Sequence, residues 1–266
     1  MDTPTQPLYL LQITDPHLKA SEDGELMGMR THDSLNAVLA HVRAHHPEPD
    51  GVLATGDLSQ DGSLTSYKHF QARMGQFACP VYWLAGNHDN VAVMQRLIGG
   101  TPAAQKRLIS HGWQLLFLDS SVPDRVHGML SDSELAFLDQ SLAEYPDHHA
   151  LVCLHHHPVP ISARWMNAIG LRNPQALFDC LAGHPQVRGL LWGHIHQQLD
   201  EVHRGLRLMA TPSTCVQFRP GSEQFSLDDR PPGYRWLRLY PDGHIDTAVE
   251  RIAPGNFGLD LKSGGY

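Results

Sequence analysis

The sequence predicts an α/β protein in which strands and helices form packed layers. Short apolar runs that suit buried strands alternate with stretches of helical periodicity in the first 192 or so residues. Beyond about residue 206, further strand-like segments follow one another with no helix between them. Alternating strands and helices indicate a sheet with helices packed on its faces. We therefore expect one domain over residues 1–266, with a C-terminal β addition over about 206–266.

The individual elements can be placed from these patterns. The strand candidates of the alternating region are Leu8–Ile13, 52–54, Val81–Leu84, 115–118, 151–154 and 189–192. Helical patterns cover about 32–45, 63–75, 90–98, 131–144 and 174–182. Later strand candidates are 206–210, 234–239 and 245–249, and the stretch 218–233, rich in Pro, Gly and Asp, is interpreted as a loop.

Helix starts carry their own signals. Ser131 precedes Glu134 by three residues, which is the sequence of a capping box. Asn90 and Asn173 are candidate N-cap residues, and Asn173 is followed by Pro174 at the first helical position. These signals predict helix starts at three defined points.

Composition excludes several classes of function. The chain has 266 residues and a formal net charge of −8, which argues against an extended basic face for nucleic acid. No apolar run approaches the ~18 residues of a membrane span, so we expect no membrane partner. No secretory signal is visible, so we expect a cytoplasmic location. The four cysteines form no CxxC pair and are expected to be reduced thiols.

Metal-type ligands follow five of the predicted strands, at the point where each strand ends. They are Asp15 and His17; Asp57; Asn87, His88 and Asp89; His155, His156 and His157; and His194 and His196. Ligand sites in open α/β sheets lie beyond the carboxyl ends of the strands, so these clusters should meet at one site. In extended backbone, residues i and i+2 point the same way, which would aim both members of each two-residue pair at that site.

This donor set indicates two metal ions. Carboxylates and imidazoles together suit Mn, Fe, Zn or Co better than Ca or Mg. The donors are too many for one tetrahedral zinc, and they match a pair of metals bridged by a carboxylate. Asp57, which follows Gly56 in a tight turn, is the bridging candidate. The histidines without ligand spacing are interpreted as surface or core residues.

These blocks resemble the calcineurin-like metallophosphoesterases. The resemblance rests on Asp15-x-His17, Gly56-Asp57, Gly86-Asn87-His88-Asp89, His155-His156-x-Pro158 and Gly193-His194-x-His196. Segments 11–18, 54–61, 154–158, 191–200 and 210–218 are similar to the class III cyclic nucleotide phosphodiesterases of bacteria, which act on 3′,5′-cyclic AMP. The resemblance implies a four-layer αββα sandwich of the metallophosphoesterase type, with two mixed sheets and a dinuclear metal centre.

The resemblance also implies a role for each residue of these blocks. Three residues would hold the first metal (Asp15, His17, His196), three would hold the second (Asn87, His155, His194), and Asp57 would bridge both. His88 would be the catalytic histidine, and Asp89 would help to orient it. His155 is taken as the ligand because it is the first histidine of its block, and His156 is expected beside the ligands. Substrate contacts would come from His17, Asp57, Asn87, His88 and His196. Iron or manganese are the expected metals, with zinc or cobalt as alternatives.

The implied function is hydrolysis of 3′,5′-cyclic AMP, a small-molecule substrate, to 5′-AMP, which would lower its intracellular level. Other small phosphoesters stay open as substrates, including 2′,3′-cyclic nucleotides, glycerophosphodiesters and aryl phosphates. A nuclease is disfavoured by the net charge, and a scaffold without activity is disfavoured by the complete ligand set. Base and ribose contacts are expected from residues 172–173 or 213–218, and a homodimer stays open.

Overall fold

Within residues 6–265, which the computed structural model describes, the chain forms strands β1–β15, helices α1–α5 and two short 3₁₀-helices. The strands are β1 (Leu8–Ile13), β2 (Glu25–Leu26), β3 (Met29–Arg30), β4 (Gly51–Thr55), β5 (Val81–Leu84), β6 (Arg107–Ser110), β7 (Trp113–Phe117), β8 (His149–Cys153), β9 (Val187–Trp192), β10 (Leu199–His203), β11 (Leu206–Ala210), β12 (Gln217–Phe218), β13 (Leu227–Asp228), β14 (Gly233–Leu239) and β15 (Ile245–Arg251). The helices are α1 (Thr31–His45), α2 (Leu64–Met74), α3 (Val91–Ile98), α4 (Asp132–Glu144) and α5 (Pro174–Ala182), with 3₁₀ turns at Pro102–Ala104 and Arg164–Ala168.

Two mixed sheets organise the fold. The five-stranded sheet has the order β15-β14-β1-β4-β5, in which β1, β4 and β5 are parallel and β14 is antiparallel to both neighbours. The six-stranded sheet has the order β10-β11-β9-β8-β7-β6. Its four central strands are parallel, and both edge strands are antiparallel to them. The carboxyl ends of the parallel strands therefore lie at one edge of each sheet.

The apolar residues separate into three cores, which define four layers. One core lies between the sheets and includes Leu10, Leu53, Leu151 and Leu191. A second packs α1, α2 and α3 on the outer face of the five-stranded sheet, and a third packs α4 and α5 on the six-stranded sheet. Strands covered on both faces must be apolar on both faces, which explains the continuous apolar runs in the sequence. The expected αββα sandwich is confirmed.

The predicted elements of the alternating region are all present, with small shifts at their ends. Two caps are confirmed: Ser131 accepts a hydrogen bond from the Glu134 N–H at 3.2 Å, and Asn90 accepts one from the Val93 N–H at 3.1 Å. The cap at Asn173 is wrong, since its side chain bonds the backbone of residue 130 instead.

The capping box at the start of α4 is only half formed. The Glu134 carboxylate accepts a hydrogen bond from the Asp119 N–H at 3.0 Å, and it also pairs with Lys106. In the expected box it would instead bond the backbone of Ser131. The side chains of Glu134 and Asn173 therefore bond residues that are distant in the chain, and a local sequence pattern cannot predict such partners.

Four strands after residue 198 complete the two large sheets, and the short β12 and β13 pair only with each other. β10 and β11 extend the six-stranded sheet, whereas β14 and β15 extend the five-stranded one. The segment expected as an addition over about 206–266 is thus divided between the two layers, and its three predicted strands are present. The division of the chain into one domain stays a prediction. None of the helices between residues 6 and 265 has the length and apolar character that a membrane-spanning helix needs.

Arg235 of β14 joins these C-terminal strands across the two sheets. Its side chain is 1% exposed, and burial lowers its pKa only to about 10, so it is charged at neutral pH. The guanidinium donates to five acceptors: Leu199 O at 2.9 Å, Ala210 O at 3.0 Å, Thr211 Oγ1 at 3.1 Å, Thr247 Oγ1 at 3.2 Å and Asp200 Oδ2 at 3.5 Å. Removal of this group would leave buried acceptors without donors.

We expect Arg235→Met to lower the free energy of unfolding by about 2–4 kcal/mol, because the Leu199 and Ala210 carbonyls and the Thr211 hydroxyl would lose their donor, and a buried group left without its partner costs about 1–3 kcal/mol. Urea unfolding followed by circular dichroism measures this loss. Arg125→Met is the matched control, since Arg125 is exposed, and it should change stability by less than about 0.5 kcal/mol. Equal stabilities of the two variants would contradict the role given to Arg235.

Candidate metal centre

Hydrogen bonds from main-chain N–H groups join the loops that follow β1, β4 and β9. The Asp15 N–H donates to Gly56 O, and the His17 N–H donates to Asp57 O, both at 3.0 Å. The His194 N–H donates to both carboxylate oxygens of Asp15 at 3.1 Å. Because these bonds continue past the ends of the strands, the loops meet at one edge of the sandwich, as expected.

The ligand residues point into the site from left-handed backbone. The expectation that extended backbone aims Asp15 with His17, and His194 with His196, is wrong. Five of the predicted ligands have positive φ: Asp15 (53°), His17 (47°), Asp57 (49°), His194 (65°) and His196 (50°). Such backbone costs of order 1–3 kcal/mol per non-glycine residue and persists only where the surrounding structure enforces it. Tight turns, each held by neighbouring loops, therefore bring the side chains together.

Asp15, His17 and His196 form the first ligand group. His196 Nε2 lies 3.3 Å from Asp15 Oδ1 and 3.2 Å from His17 Nε2. His17 Nδ1 bonds the Gln60 side-chain oxygen at 2.7 Å, and His196 Nδ1 bonds Val216 O at 2.8 Å. Each oxygen accepts an Nδ1 proton, which leaves the lone pair of Nε2 toward the other ligands.

Asn87, His155 and His194 form the second group, beside Asp57. His155 Nε2 lies 3.3 Å from Asp57 Oδ2, while its Nδ1 donates to Thr55 O at 2.8 Å. His194 Nε2 lies 3.1 Å from a backbone carbonyl, that of residue 169, which leaves Nδ1 as its ligand atom. Asp57 Oδ2, Asn87 Oδ1 and His155 Nε2 are buried and have no hydrogen-bond partner within residues 6–265. His156 Nε2, in the same cluster, also has none, and buried polar atoms of this kind are suited to bind a cation.

Asp57 lies between the two groups. Its Oδ2 is 3.8 Å from His17 Nε2 on one side and 3.3 Å from His155 Nε2 on the other. Its Oδ1 accepts a hydrogen bond from the His88 N–H at 2.9 Å. A Cβ atom on Gly86 would lie 2.2 Å from that oxygen, so only glycine allows the approach. The residues therefore fit a dinuclear metal centre.

Burial sets the protonation of the ligands. It lowers the pKa of His17 to about 3 and that of His194 well below its ordinary value, so both are neutral donors. Burial opposes the charge of His155, but the nearby Asp57 and Asp15 carboxylates raise its pKa to about 9. Despite burial, His155 and His88 hold the pKa of Asp57 well below its usual range. The buried carboxylates of Asp15 and Asp57 are thus stabilised by positive charge, which metal ions would supply in place of the proton on His155.

His88 lies at a cavity beside the ligands, with its ring 5.1 Å from that of His17. The adjacent Asp89 carboxylate accepts hydrogen bonds from the N–H groups of Gly86, Leu58 and Ser59 and from the Tyr67 hydroxyl, at 2.9–3.1 Å. Burial, followed by the charge of Asp57, raises the pKa of Asp89 to about 7. Asp89 thus ties the His88 loop to the Asp57 loop through the backbone.

The cavity has a volume of about 740 Å³ and opens between three loops. Its walls are residues 60–62, 86–92 and 121–124. Residues 172–173 and 213–218, expected as base or ribose contacts, are not in these walls. Instead, Phe218 stacks on the His196 ring at 4.3 Å between centroids, and Ser213 donates to the Asp15 carbonyl at 2.7 Å. The segment 213–218 thus packs behind the ligands and holds them in place.

The remaining histidines of the 155–157 triplet are buried around His194. His156 Nδ1 lies 2.8 Å from the Ser120 hydroxyl, and its ring centroid is 4.7 Å from that of His194. His157 stacks on the His194 ring at 5.5 Å between centroids and is also buried, with 3% of its surface exposed.

Backbone carbonyls of residues 55, 169 and 216 orient the rings of His155, His194 and His196, and the sequence cannot predict these partners because any residue has a carbonyl. Gln60, which orients His17 through its side chain, is part of the 56–62 block.

Comparison with known proteins identifies the family. The family model of the calcineurin-like phosphoesterases matches residues 8–198, which include all the ligands described above. The chain belongs to the calcineurin-like phosphoesterase family.

Two cyclic AMP phosphodiesterases and one solved phosphatase structure are similar to this chain. The 3′,5′-cyclic adenosine monophosphate phosphodiesterase CpdA of Pseudomonas aeruginosa is 48% identical, over 97% of this chain and 95% of its own. The CpdA protein of Escherichia coli K12 is 45% identical, over 97% of this chain and 94% of its own. The fold is similar to that of a dimetal phosphatase from Danio rerio, with a TM-score of 0.66 at 16% identity, covering 93% of this chain and all of that one.

Because Asp57 faces both ligand groups, we expect Asp57→Ala to reduce the metal content from two ions per chain to one or none. Metal analysis by mass spectrometry on desalted protein measures this. Asp124→Ala is the control, since Asp124 is an exposed carboxylate of the cavity wall and should leave both ions in place. Two ions retained in Asp57→Ala would exclude the bridging role.

Proposed function

We propose that the protein hydrolyses 3′,5′-cyclic AMP to 5′-AMP at the dinuclear metal centre and so lowers the intracellular level of cyclic AMP. One observation carries the proposal: two phosphodiesterases with this activity in their names are 45–48% identical over 97% of the chain. That similarity extends beyond the family match, which ends at residue 198, into the segment that packs behind the ligands.

The metal ligands have a defined task in this reaction. When bound, two divalent metals screen the charge of a phosphodiester and lower the pKa of a water molecule. Asp15, His17 and His196 would hold the first ion, and Asn87, His155 and His194 would hold the second, with Asp57 shared. Iron or manganese suits this set of oxygen and imidazole donors, with zinc or cobalt as alternatives.

Substrate would enter through the cavity that His88 borders. A volume of about 740 Å³ is within the range of small-molecule sites. His17, Asp57, Asn87, His88 and His196 would surround the phosphate. His88 lies outside the two ligand groups defined above, with a ring nitrogen within 4.8 Å of ligand atoms of His17 and Asp57, and it would face the 3′ oxygen as that oxygen leaves. Its imidazolium would donate a proton to that oxygen, which makes it a general acid.

His88 is positioned by the backbone around it. Its N–H is held by Asp57, and the next residue, Asp89, is tied to Gly86 and to the 58–59 segment. A side chain on so constrained a loop can meet the leaving group without a large rearrangement.

The cytoplasmic location and the homodimer stay predictions of the sequence.

We expect His88→Ala to keep both metal ions but to lower kcat for cyclic AMP by about 10²–10⁴-fold, the scale of lost general acid catalysis. An aryl phosphodiester with a nitrophenolate leaving group needs no proton, so its hydrolysis should fall much less. His45→Ala, on the exposed end of α1, is the control. Loss of metal, or equal losses with both substrates, would contradict the assignment.

The substrate itself is tested by a panel measured on one sample of known metal content. We expect kcat/KM to be highest for 3′,5′-cyclic AMP and the product to be 5′-AMP rather than 3′-AMP. Cyclic GMP, 2′,3′-cyclic AMP and a glycerophosphodiester are the competitors. Faster turnover of 2′,3′-cyclic AMP or of the glycerophosphodiester would replace the proposal by a broader phosphodiesterase.

A further inference from the structure

A second group of metal-type side chains lies between helices α4 and α5. Asp139 comes from α4, Cys180 from the last turns of α5, and His184 from the turn that follows α5. Their ligand atoms all lie within 4.8 Å of one another, and His184 Nε2 is 2.8 Å from Asp139 Oδ1. One thiol, one imidazole and one carboxylate therefore meet at a point that the proposed reaction does not use.

This group is separate from the dinuclear centre. His184 precedes β9, which begins at Val187, whereas the ligand His194 follows the end of β9 at Trp192. A strand of six residues is about 20 Å long, so the two histidines lie at opposite edges of the six-stranded sheet. Substitutions at Asp139, Cys180 or His184 can thus be tested without touching any ligand of the catalytic site.

The accessibility of the three side chains suits a metal site with one open side. The His184 side chain is 13% exposed, Cys180 is half-buried against the core of the six-stranded layer, and the Asp139 side chain is 65% exposed. The exposed Asp139 carboxylate leaves a path from solvent to the thiol and the imidazole, and it can coordinate an ion that enters by this path. Zinc binds S, N and O atoms at about 2.0–2.3 Å in a tetrahedron, so the three ligand atoms would shift by small amounts and bonds to the metal would replace the His184–Asp139 hydrogen bond.

The donor types select the metal. A thiolate with an imidazole favours zinc and disfavours magnesium or calcium, which prefer oxygen ligands. Burial and the charge of Asp139 raise the pKa of the Cys180 thiol, so the thiol is protonated until a metal displaces the proton. Three protein ligands leave the fourth position for a water molecule.

We propose that Asp139, Cys180 and His184 bind one zinc ion, at a site distinct from the dinuclear centre. The ion joins helix α4 to the end of α5, which otherwise meet through apolar contacts and the His184–Asp139 pair. The competing interpretation is a surface ion pair that happens to lie beside a thiol and has no affinity for metals.

Because the catalytic ligands contain no sulfur, absorption spectroscopy can detect a metal at Cys180 separately from the dinuclear centre. Co²⁺ bound to a thiolate gives a charge-transfer absorption band, and the catalytic ligands are oxygen and nitrogen donors only. Titration of the full chain with Co²⁺ should raise this band to the intensity of one thiolate-bound Co²⁺ per chain, whichever metal the catalytic centre holds. Excess Zn²⁺ should abolish it, because zinc binds such donors more tightly than cobalt.

Three variants assign the band. Cys180→Ser should remove it and raise the Kd for Zn²⁺ by at least about 100-fold, and the exposed Asp139→Asn should raise that Kd by about 10-fold. Cys79→Ser is the matched control, because Cys79 is a half-buried thiol outside the group, and its band should equal that of the wild type. Far-ultraviolet circular dichroism confirms that each variant is folded.

No thiolate band in the wild type, or a band that survives Cys180→Ser, would overturn the proposal. A band lost in Cys79→Ser but kept in Cys180→Ser would assign it to an adventitious thiol and overturn the proposal equally. The result does not depend on the proposed function, since the band reports metal binding whether or not the protein hydrolyses cyclic AMP.

Discussion

The Asp57 carboxylate is the interaction on which the rest of the site depends. One oxygen faces both ligand groups, and the other anchors the His88 loop through a backbone N–H. A carboxylate that is fully buried is costly unless positive charge or hydrogen bonds compensate it. The surrounding imidazoles compensate it in part, and two cations would complete the balance. The position of this one group thus favours the binding of metals, lies between the two ligand groups and places the His88 loop.

The geometry around Asp57 is held by backbone that is unfavourable in isolation. Five ligand residues adopt left-handed φ values, and the Gly86 position tolerates no side chain. The compensation comes from outside the site: the two sheets, their common apolar core and the hydrogen bonds of the 213–218 segment behind the ligands. A rigid scaffold with a strained site is a common arrangement in enzymes, because strain there keeps ligands in place before substrate arrives.

The C-terminal third of the chain is part of that scaffold. Its strands complete both sheets, Arg235 joins the strands of one sheet to those of the other, and Phe218 packs on the ring of His196. This explains why the similarity to cyclic nucleotide phosphodiesterases extends past the last metal ligand. The part of the chain without ligands still determines how firmly the ligands are held.

The sequence by itself determined the layered α/β fold, its five helices and most of its longer strands, and the polar clusters at the strand ends, because apolar periodicity and polar residues after a strand are local features of the chain. The tertiary structure alone decided how those ligands converge. Asp15 and His17 meet the others through left-handed turns and not through extended backbone, and carbonyls at 55, 169 and 216 orient three imidazoles. Glu134 and Asn173 likewise bond residues far away in the chain and not the helix ends that their local sequence predicts. Asp139, Cys180 and His184 come together only through the packing of α4 on α5. Contacts between residues far apart in the chain depend on the packed layers, and no local pattern of residues records them.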